Sequence, residues 1–247
     1  MNQIKNARVA IVTGAARGIG AAVARRLASD GFAVAVNYAS SSKEADAVVA
    51  ELEANGAKAI AVQADVRNPD DVRRMFDTTE EKLGKVDVLV NNAGVLKTMP
   101  LAGTTDDFFS QAFDINVRGT FNTLREAAAR INGGGRIVNF SSSSVGMNLP
   151  GYAVYNATKA AVESFTRVFS KELRGRNVTV NAVAPGPIAT ELFFEGKDEK
   201  TVDMFVKMAP LERLGQPEEA ASAVSFLAGP DGGWVNGQVL RANGGVV

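Results

Sequence analysis

The chain contains no cysteine and no histidine. Together these absences remove thiolate nucleophiles, disulfides, Ser-His-Asp triads and most zinc or iron sites, so any acid or base must be Tyr, Lys, Asp or Glu. An excess of one charge is also missing. Lys plus Arg and Asp plus Glu number 27 each, with no basic run, which argues against a nucleic-acid partner and leaves no polybasic handle for a membrane. No apolar run reaches the ~18 residues of a membrane span. The opening MNQIKNARVAIV lacks a charged region followed by a long apolar core, so a cytoplasmic location is expected, and a cysteine-free composition is compatible with it. There is no Pro-rich or Ser-rich linker, and 247 residues lie at the upper end of what one core holds, so one domain is read over 1–247.

The stretch that organises the rest is residues 136–171, RIVNFSSSSVGMNLPGYAVYNATKAAVESFTRVFSK. Its Val-, Ile- and Phe-rich start reads as a buried strand over 136–141 that breaks into a Ser-rich loop with Gly146 and Pro150. From Tyr152 onward Val154, Ala157, Ala161, Val162, Phe165, Val168 and Phe169 recur at helical spacing. Tyr155 and Lys159 then share one helix face, a single turn apart. A tyrosine with its ordinary pKa of about 10 is a poor proton shuttle at neutral pH, and an ammonium within ~4–6 Å favours the phenolate. Lys159 is placed to supply that charge, and Ser142, at the strand's carboxyl end, offers a hydroxyl to the same substrate oxygen. YxxxK alone is also common on ordinary surface helices, so the remaining motifs decide.

Residues 8–13 (RVAIVT) form a short β-rich run leading into GAARGIG and an amphipathic helix that stops at Gly31. Gly14, Gly18 and Gly20 allow a tight turn and a close backbone approach to a pyrophosphate, whose charge meets the free amides of the helix start. The spacing is GxxxGxG, and glycine clusters also serve plain turns. Context strengthens the phosphate reading. Strands at 32–37, 59–63 and 86–90 alternate with helices near 43–55 and 70–83, which specifies a parallel sheet with ligands at the strands' carboxyl ends. Asp65-Val66 follows the third strand, where a carboxylate either accepts from an adenine amino group or merely precedes a helix. Asn91-Asn92-Ala93-Gly94 follows the fourth, able to tie edge loops and admit a ribose, or to form a plain turn. Residues 106–131 read as helical, and Asn116 within FDINVRGTF is unfavourable there, able to break the local pattern and release a carbonyl for a water. A strand at 178–184, the loop PGPIATEL, a helix at 214–229 with Pro217 in its first turn, and a last strand at 238–241 complete the chain.

Taken together, TGAARGIG at 13–20, NNAG at 91–94, Asn116, Ser142, Tyr155 with Lys159, and PGPIAT at 185–190 resemble the short-chain dehydrogenase/reductase family, over essentially the whole chain. The resemblance implies an α/β fold: a doubly wound, Rossmann-type parallel sheet of about seven strands with helices on both faces. It implies nicotinamide hydride transfer and a catalytic set of Asn116, Ser142, Tyr155 and Lys159. In the family the Tyr is the acid/base and the Ser polarises the carbonyl. The Lys binds the nicotinamide ribose and lowers the Tyr pKa, while the Asn anchors a water reaching the Lys. Cofactor contacts are implied for Gly14, Arg17, Gly18, Ile19 and Gly20, then for Asn37, Tyr38, Ser40 and Ser41. Further contacts fall on Asp65, Val66, Asn92, Ala93 and Gly94, on Tyr155 and Lys159, and on Pro185, Gly186, Ile188 and Thr190. No metal is implied. Asn236 and Asn243 depart from the Thr-Gly and Asp-Gly-Gly more usual in the family's C-terminal segment.

NADP(H) is expected over NAD(H), which remains possible. Where an NAD-specific protein carries an acid at the end of the second strand, this chain has Asn37, and Arg17, Ser40 and Ser41 can meet a 2′-phosphate. The substrate is a small carbonyl or alcohol, an acyl-carrier thioester among the candidates. A regulatory dinucleotide-binding scaffold without turnover is the competing reading, and the intact catalytic set argues against it. Residues 188–213, following Pro185-Gly186 as a hinge, mix Phe193, Phe194, Met204, Phe205, Val206 and Met208 with a charged centre and read as a substrate-covering lid. Ala-rich, apolar helices around 121–131 and 154–173, with the family's habit, point to a homotetramer.

Overall fold

A computed structural model describes residues 7–247. In chain order the elements are β1 (Val9–Val12), α1 (Gly18–Ser29), β2 (Ala33–Tyr38), α2 (Ser42–Ala54), β3 (Ala59–Gln63), α3 (Pro69–Lys82) and β4 (Val86–Asn91). Then come α4 (Asp106–Phe113), a π-helical turn (Asp114–Arg118), α5 (Gly119–Arg130), β5 (Arg136–Phe140), α6 (Ser144–Met147) and α7 (Ala153–Glu172). The chain closes with β6 (Thr179–Pro185), α8 (Glu191–Phe194), α9 (Glu199–Met208), α10 (Pro217–Ala228) and β7 (Val239–Ala242).

The strands form one seven-stranded sheet in the order β3-β2-β1-β4-β5-β6-β7, and every pairing is parallel. Strands buried on both faces read as nearly continuous apolar runs, and the period of two still divides their side chains between faces. Ala10, Val12, Val88, Val90, Val138 and Phe140 pack into the layer that holds α1, α2 and α10. Ile11, Leu89 and Ile137 point the other way, towards α3, α5 and α7. Order reverses between β1 and β4, and the resulting crevice at their carboxyl ends is where such sheets bind ligands.

Local chemistry sets several helix starts. The Asn68 side chain accepts from Asp70 N at 2.9 Å ahead of Pro69, and Glu219 accepts from Gln216 N at 2.8 Å beside Pro217. Residues 106–130 are helical throughout, as read, and the α-helical pattern gives way to the π-helical turn at Asp114–Arg118, with Asn116 buried at its middle. Behind the crevice a polar seam crosses the sheet. Thr123 Oγ1 donates to Asn91 Oδ1 at 2.7 Å, Asn91 Nδ2 to Asn139 Oδ1 at 2.8 Å, and Asn139 Nδ2 to Thr166 Oγ1 at 2.9 Å. Each buried amide is thereby satisfied, and β4 and β5 are locked to α5 and α7.

Candidate active site

Ser142, Tyr155 and Lys159 line one cleft, together with Ile19, Asn92, Gly94, Pro185, Gly186, Ile188 and Thr190. β5 delivers Ser142 just past its end, and α7 delivers Tyr155 and Lys159 on the face turned to the sheet. Lys159 is buried, donates from Nζ to Phe140 O at 2.9 Å, and lies 5.7 Å from the centre of the Tyr155 ring. Two of its protons remain for further acceptors, and the residue lines the cleft. The Ser142 hydroxyl accepts from Ser144 Oγ at 2.8 Å and faces the Tyr155 phenol.

Burial, and not the ammonium, governs the phenol. Tyr155 is pushed up to about 12 by loss of solvation, an effect that the Ser142 hydroxyl opposes and the neighbouring Tyr152 reinforces. The same desolvation brings Lys159 down to about 8. This corrects the expectation that Lys159 holds Tyr155 towards phenolate in the protein alone: a low-dielectric site penalises both charged forms. At neutral pH the phenol keeps its proton, the state a general acid requires.

Asn116 is fixed by both ends of its amide. Oδ1 accepts from Val95 N at 2.8 Å, and Nδ2 donates to Val95 O at 3.0 Å and to Thr158 Oγ1 at 3.1 Å. Its own carbonyl, in the π-helical turn, accepts from Thr120 Oγ1 at 2.9 Å, and a carbonyl oxygen has a second acceptor position besides. Gly94 lies between Asn116 and Lys159. A Cβ there would stand 3.2 Å from Asn116 Oδ1 and 3.6 Å from Lys159 Nζ, so glycine keeps the gap between them open.

The glycine loop passes the same test of fit for a dinucleotide. Gly14 has φ +62 and stacks on Ala93, and Gly18 has φ +55. At Gly20 a Cβ would lie 2.4 Å from Gly14 O and 2.5 Å from Asn92 Nδ2. Asn92 Nδ2 holds the loop by donating to Thr13 O at 2.9 Å and Gly14 O at 3.0 Å. Thr13, which the sequence reading left without a role, completes the joint: its buried hydroxyl accepts from Asn92 N and Ala93 N, each at 3.0 Å. The helix start beyond the loop has neither a side-chain cap nor an acid in its first turn, so its first amides and positive dipole end are left without a side-chain partner, and Ile19 in that turn lines the cleft.

Of the residues expected around the adenosine, two are placed differently from expectation. Asn37 is not a side chain presented to the cofactor. It is 1% exposed, with Oδ1 accepting from Gly14 N at 3.2 Å and Nδ2 donating to Val62 O at 3.2 Å and Ala64 O at 3.0 Å. The strand runs one residue further than read, the period of two turns Asn37 inward, and half-buried Tyr38 takes the terminal position. Asp65 is also engaged, since Arg67 clamps both carboxylate oxygens and holds the carboxyl below its usual range. Val66 is buried against Gly119, and its carbonyl accepts from Asn122 Nδ2 at 2.9 Å. Ser40 is exposed. Ser41 precedes α2 without making a side-chain capping bond, so its hydroxyl is not consumed as a helix cap. Arg17 stands 73% exposed beside the glycine loop.

The segment after β6 is anchored differently from the expected hinge. Pro185 pairs with Ala242, Gly186 N donates to Ala242 O at 3.0 Å, and a Cβ on Gly186 would lie 2.8 Å from Asn243 Cα. Residues 185 and 186 are therefore packed sheet edge. The two ends of the covering segment meet at a parallel bridge between Ile188 and Gly215. From there Phe193 and Phe205 turn into the cleft in edge-to-face contact at 5.5 Å, while Leu192, Phe194 and Met204 remain exposed. Tyr152 joins the wall, edge-on to Tyr155 at 6.4 Å.

With this geometry in place, similarity to known proteins becomes informative. A family model described as enoyl-(acyl carrier protein) reductase matches residues 14–247. The chain belongs to the short-chain dehydrogenase/reductase family. It is 47% identical to a short-chain type dehydrogenase/reductase of Picea abies, over 97% of this chain and 92% of that one. A 3-oxoacyl-[acyl-carrier-protein] reductase of Synechocystis is 45% identical over 98% of this chain and 97% of its own. Among solved structures, a blue fluorescent protein from a metagenomic library, in complex with NADPH, superposes with a TM-score of 0.93 at 41% identity, covering 99% of this chain and 100% of that one. The protein is an oxidoreductase of this family, and its doubly wound parallel sheet is the family's fold.

Proposed function

We propose that the protein is an NADP(H)-dependent carbonyl reductase, reversible as a secondary-alcohol dehydrogenase, with Tyr155, Ser142, Lys159 and Asn116 as its working set. The observation that carries this reading is the convergence of a protonated phenol, a serine hydroxyl and a buried ammonium on one cleft. A reduced nicotinamide supplies the hydride. Ser142 donates to the substrate carbonyl oxygen and holds it against the phenol, and Tyr155 gives that oxygen its proton as the carbon is reduced. Lys159 donates to the ribose hydroxyls, and its charge stabilises the phenolate left behind. Asn116 fixes the Val95 loop and, through Thr158, the helix that carries Lys159.

The walls of the cleft offer Val95, Leu96, Met147, Leu149, Phe193 and Phe205, which favours an uncharged, largely apolar carbonyl compound; an acyl-carrier thioester stays within the class, as the Synechocystis relative's name illustrates. Residues 188–213 are read as a lid that excludes water from the hydride path. Use of NADP(H) is supported by Arg17 and Ser41, neither held by a strong partner, and by the NADPH complex of the similar structure. Two separate exposed apolar faces support a homotetramer: Phe121 with Val168 on α5 and α7, and Phe226 with Trp234 around α10 and β7. Among the described residues no helix is long and apolar enough to cross a membrane; the cytoplasm is the compartment proposed, for cell fractionation to check.

The test of function is consumption of reduced nicotinamide with a panel of ketones, aldehydes and an acyl thioester. Turnover with at least one carbonyl, and a higher kcat/KM with NADPH than with NADH, is expected. Binding of cofactor without turnover of any carbonyl would favour the scaffold reading. Substrate and cofactor together should slow proteolysis within 195–200 if the lid closes, and light scattering that shows a monomer at micromolar concentration would remove the tetramer.

A further inference from the structure

The glycine loop and the base of the lid touch at two points. A Cβ on Gly18 would lie 3.7 Å from Thr190 Cγ2, and the Arg17 guanidinium approaches Glu191, the first residue of α8, at 3.9 Å. Arg17 makes no capping bond at the start of α1, and this carboxylate is its one ionic partner among the described residues. The pair is loose, with side chains 73% and 87% exposed and a separation beyond direct hydrogen bonding. A guanidinium on a long flexible stem, beside a modest partner, moves to a stronger one when it arrives. A 2′-phosphate is such a partner, since it carries more charge than a carboxylate and accepts bidentate donation from arginine.

We propose that Glu191 is a specificity-determining residue: its carboxylate competes with the cofactor's 2′-phosphate for Arg17, which lowers affinity for the phosphorylated cofactor and ties the lid base to the glycine loop until that phosphate binds. The inference rests on Arg17 as the phosphate's ligand. NAD(H) lacks the 2′-phosphate and presents only the pyrophosphate that both cofactors share, so the competition with Glu191 distinguishes the two. Discrimination between the two cofactors is then set by the difference between two partners of one arginine, and not by Arg17 alone.

The fragments adenosine 2′,5′-bisphosphate and adenosine 5′-monophosphate differ only in the 2′-phosphate and can be titrated calorimetrically into wild type, Glu191→Gln, Arg17→Ala and the double variant. Glu191→Gln should bind the bisphosphate about two- to fivefold more tightly, the scale of an exposed ion pair, leave the monophosphate unchanged, and gain nothing when Arg17 is absent. Equal gains for both fragments, no gain, or a gain that survives in the Arg17→Ala background would overturn the role of Glu191 while leaving Arg17 in place. If Arg17→Ala binds the bisphosphate as wild type does, the assignment of Arg17 itself falls, and the competition with it.

Discussion

At the end of the crevice proposed for the nicotinamide, Lys159 is 6% exposed, Asn116 is 1% exposed, and each is held by hydrogen bonds to backbone elsewhere in the chain. At the end proposed for the adenosine 2′-phosphate, Arg17 is largely exposed and its partner sits 3.9 Å away. Chemistry needs groups fixed to a fraction of an ångström in a dry site, where desolvation moves their pKa values and an interaction is worth most. Discrimination between cofactors needs only a charge in reach of a phosphate, and works in water at a few kcal/mol. The buried end should therefore break abruptly on mutation and the exposed end by degrees.

Tyr155→Phe should show the largest effect. The ring packing stays and only the hydroxyl is lost, so cofactor binding should be unchanged while carbonyl turnover falls about 10²–10⁴-fold, the contribution of a general acid. Single-turnover kinetics beside a cofactor titration separates the two. Near-normal turnover would remove Tyr155 from the mechanism.

Asn37→Asp sharpens the comparison from the side of stability. Read from the sequence, this change would convert the protein towards NADH; read from the structure, it replaces a buried donor with a carboxylate facing Val62 O and Ala64 O. A loss of roughly 3 kcal/mol of folding stability is expected, with no switch in cofactor preference among the molecules that remain folded. Chemical denaturation gives the first quantity, and the ratio of kcat/KM for NADPH and NADH the second. A stable variant that prefers NADH would restore the sequence-based role.

That residue marks a boundary of what was legible. Apolar runs alternating with helical segments were enough for a parallel sheet, because β1, β2, β4, β5 and β6 are buried almost throughout and leave little polar alternation to confuse them. Ser142, Tyr155 and Lys159 could be brought to one cleft because strand ends and helical spacing are local facts. The inward turn of Asn37 depended on where β2 ends, and one residue of difference flips a side chain to the other face. The direction of the Tyr155 shift was illegible for another reason: desolvation is a property of everything packed around the group, and spacing to Lys159 carries only the charge. Likewise the bridge between Ile188 and Gly215 joins positions whose neighbourhood exists only once α8 and α9 have folded between them.

Arg17→Ala acts at the exposed end and should cost less. It should weaken NADPH by roughly 1.5–3 kcal/mol, the scale of hydrogen bonds to a charged group, and leave NADH nearly unaffected. Affinities measured at two salt concentrations add a check, since an exposed guanidinium–phosphate contact weakens as salt rises. Equal losses for both cofactors would place Arg17 on the pyrophosphate and not on the 2′-phosphate.

The smallest effect concerns pH, and the missing histidine and cysteine make it readable, because neither of those side chains titrates across the neutral and mildly alkaline range. Lys159 falls from an ordinary 10.5 to about 8 in the folded chain. Between those values the unfolded chain binds the additional proton, so stability rises with pH as Lys159 becomes neutral in the native state, by about 1 kcal/mol from pH 8 to pH 9 for one group. Tyr155, raised from 10 to about 12, works in the opposite sense: the native state holds its proton longer, and stability falls with pH between about 10 and 12. Below 10 the lysine acts alone of the two. A bound reduced dinucleotide opposes that loss of charge, since its ribose hydroxyls accept from the ammonium and its ring is uncharged, so the pKa of Lys159 rises in the complex. The stabilisation conferred by added NADPH should therefore shrink between pH 7 and 9 in the wild type and stay level in Lys159→Met, where every other titrating group is shared and cancels. Thermal denaturation of both proteins, with and without cofactor across that range, measures the difference directly. Parallel pH profiles for the two would mean that Lys159 keeps its charge throughout, and that the buried end of the crevice is wetter than its hydrogen bonds indicate.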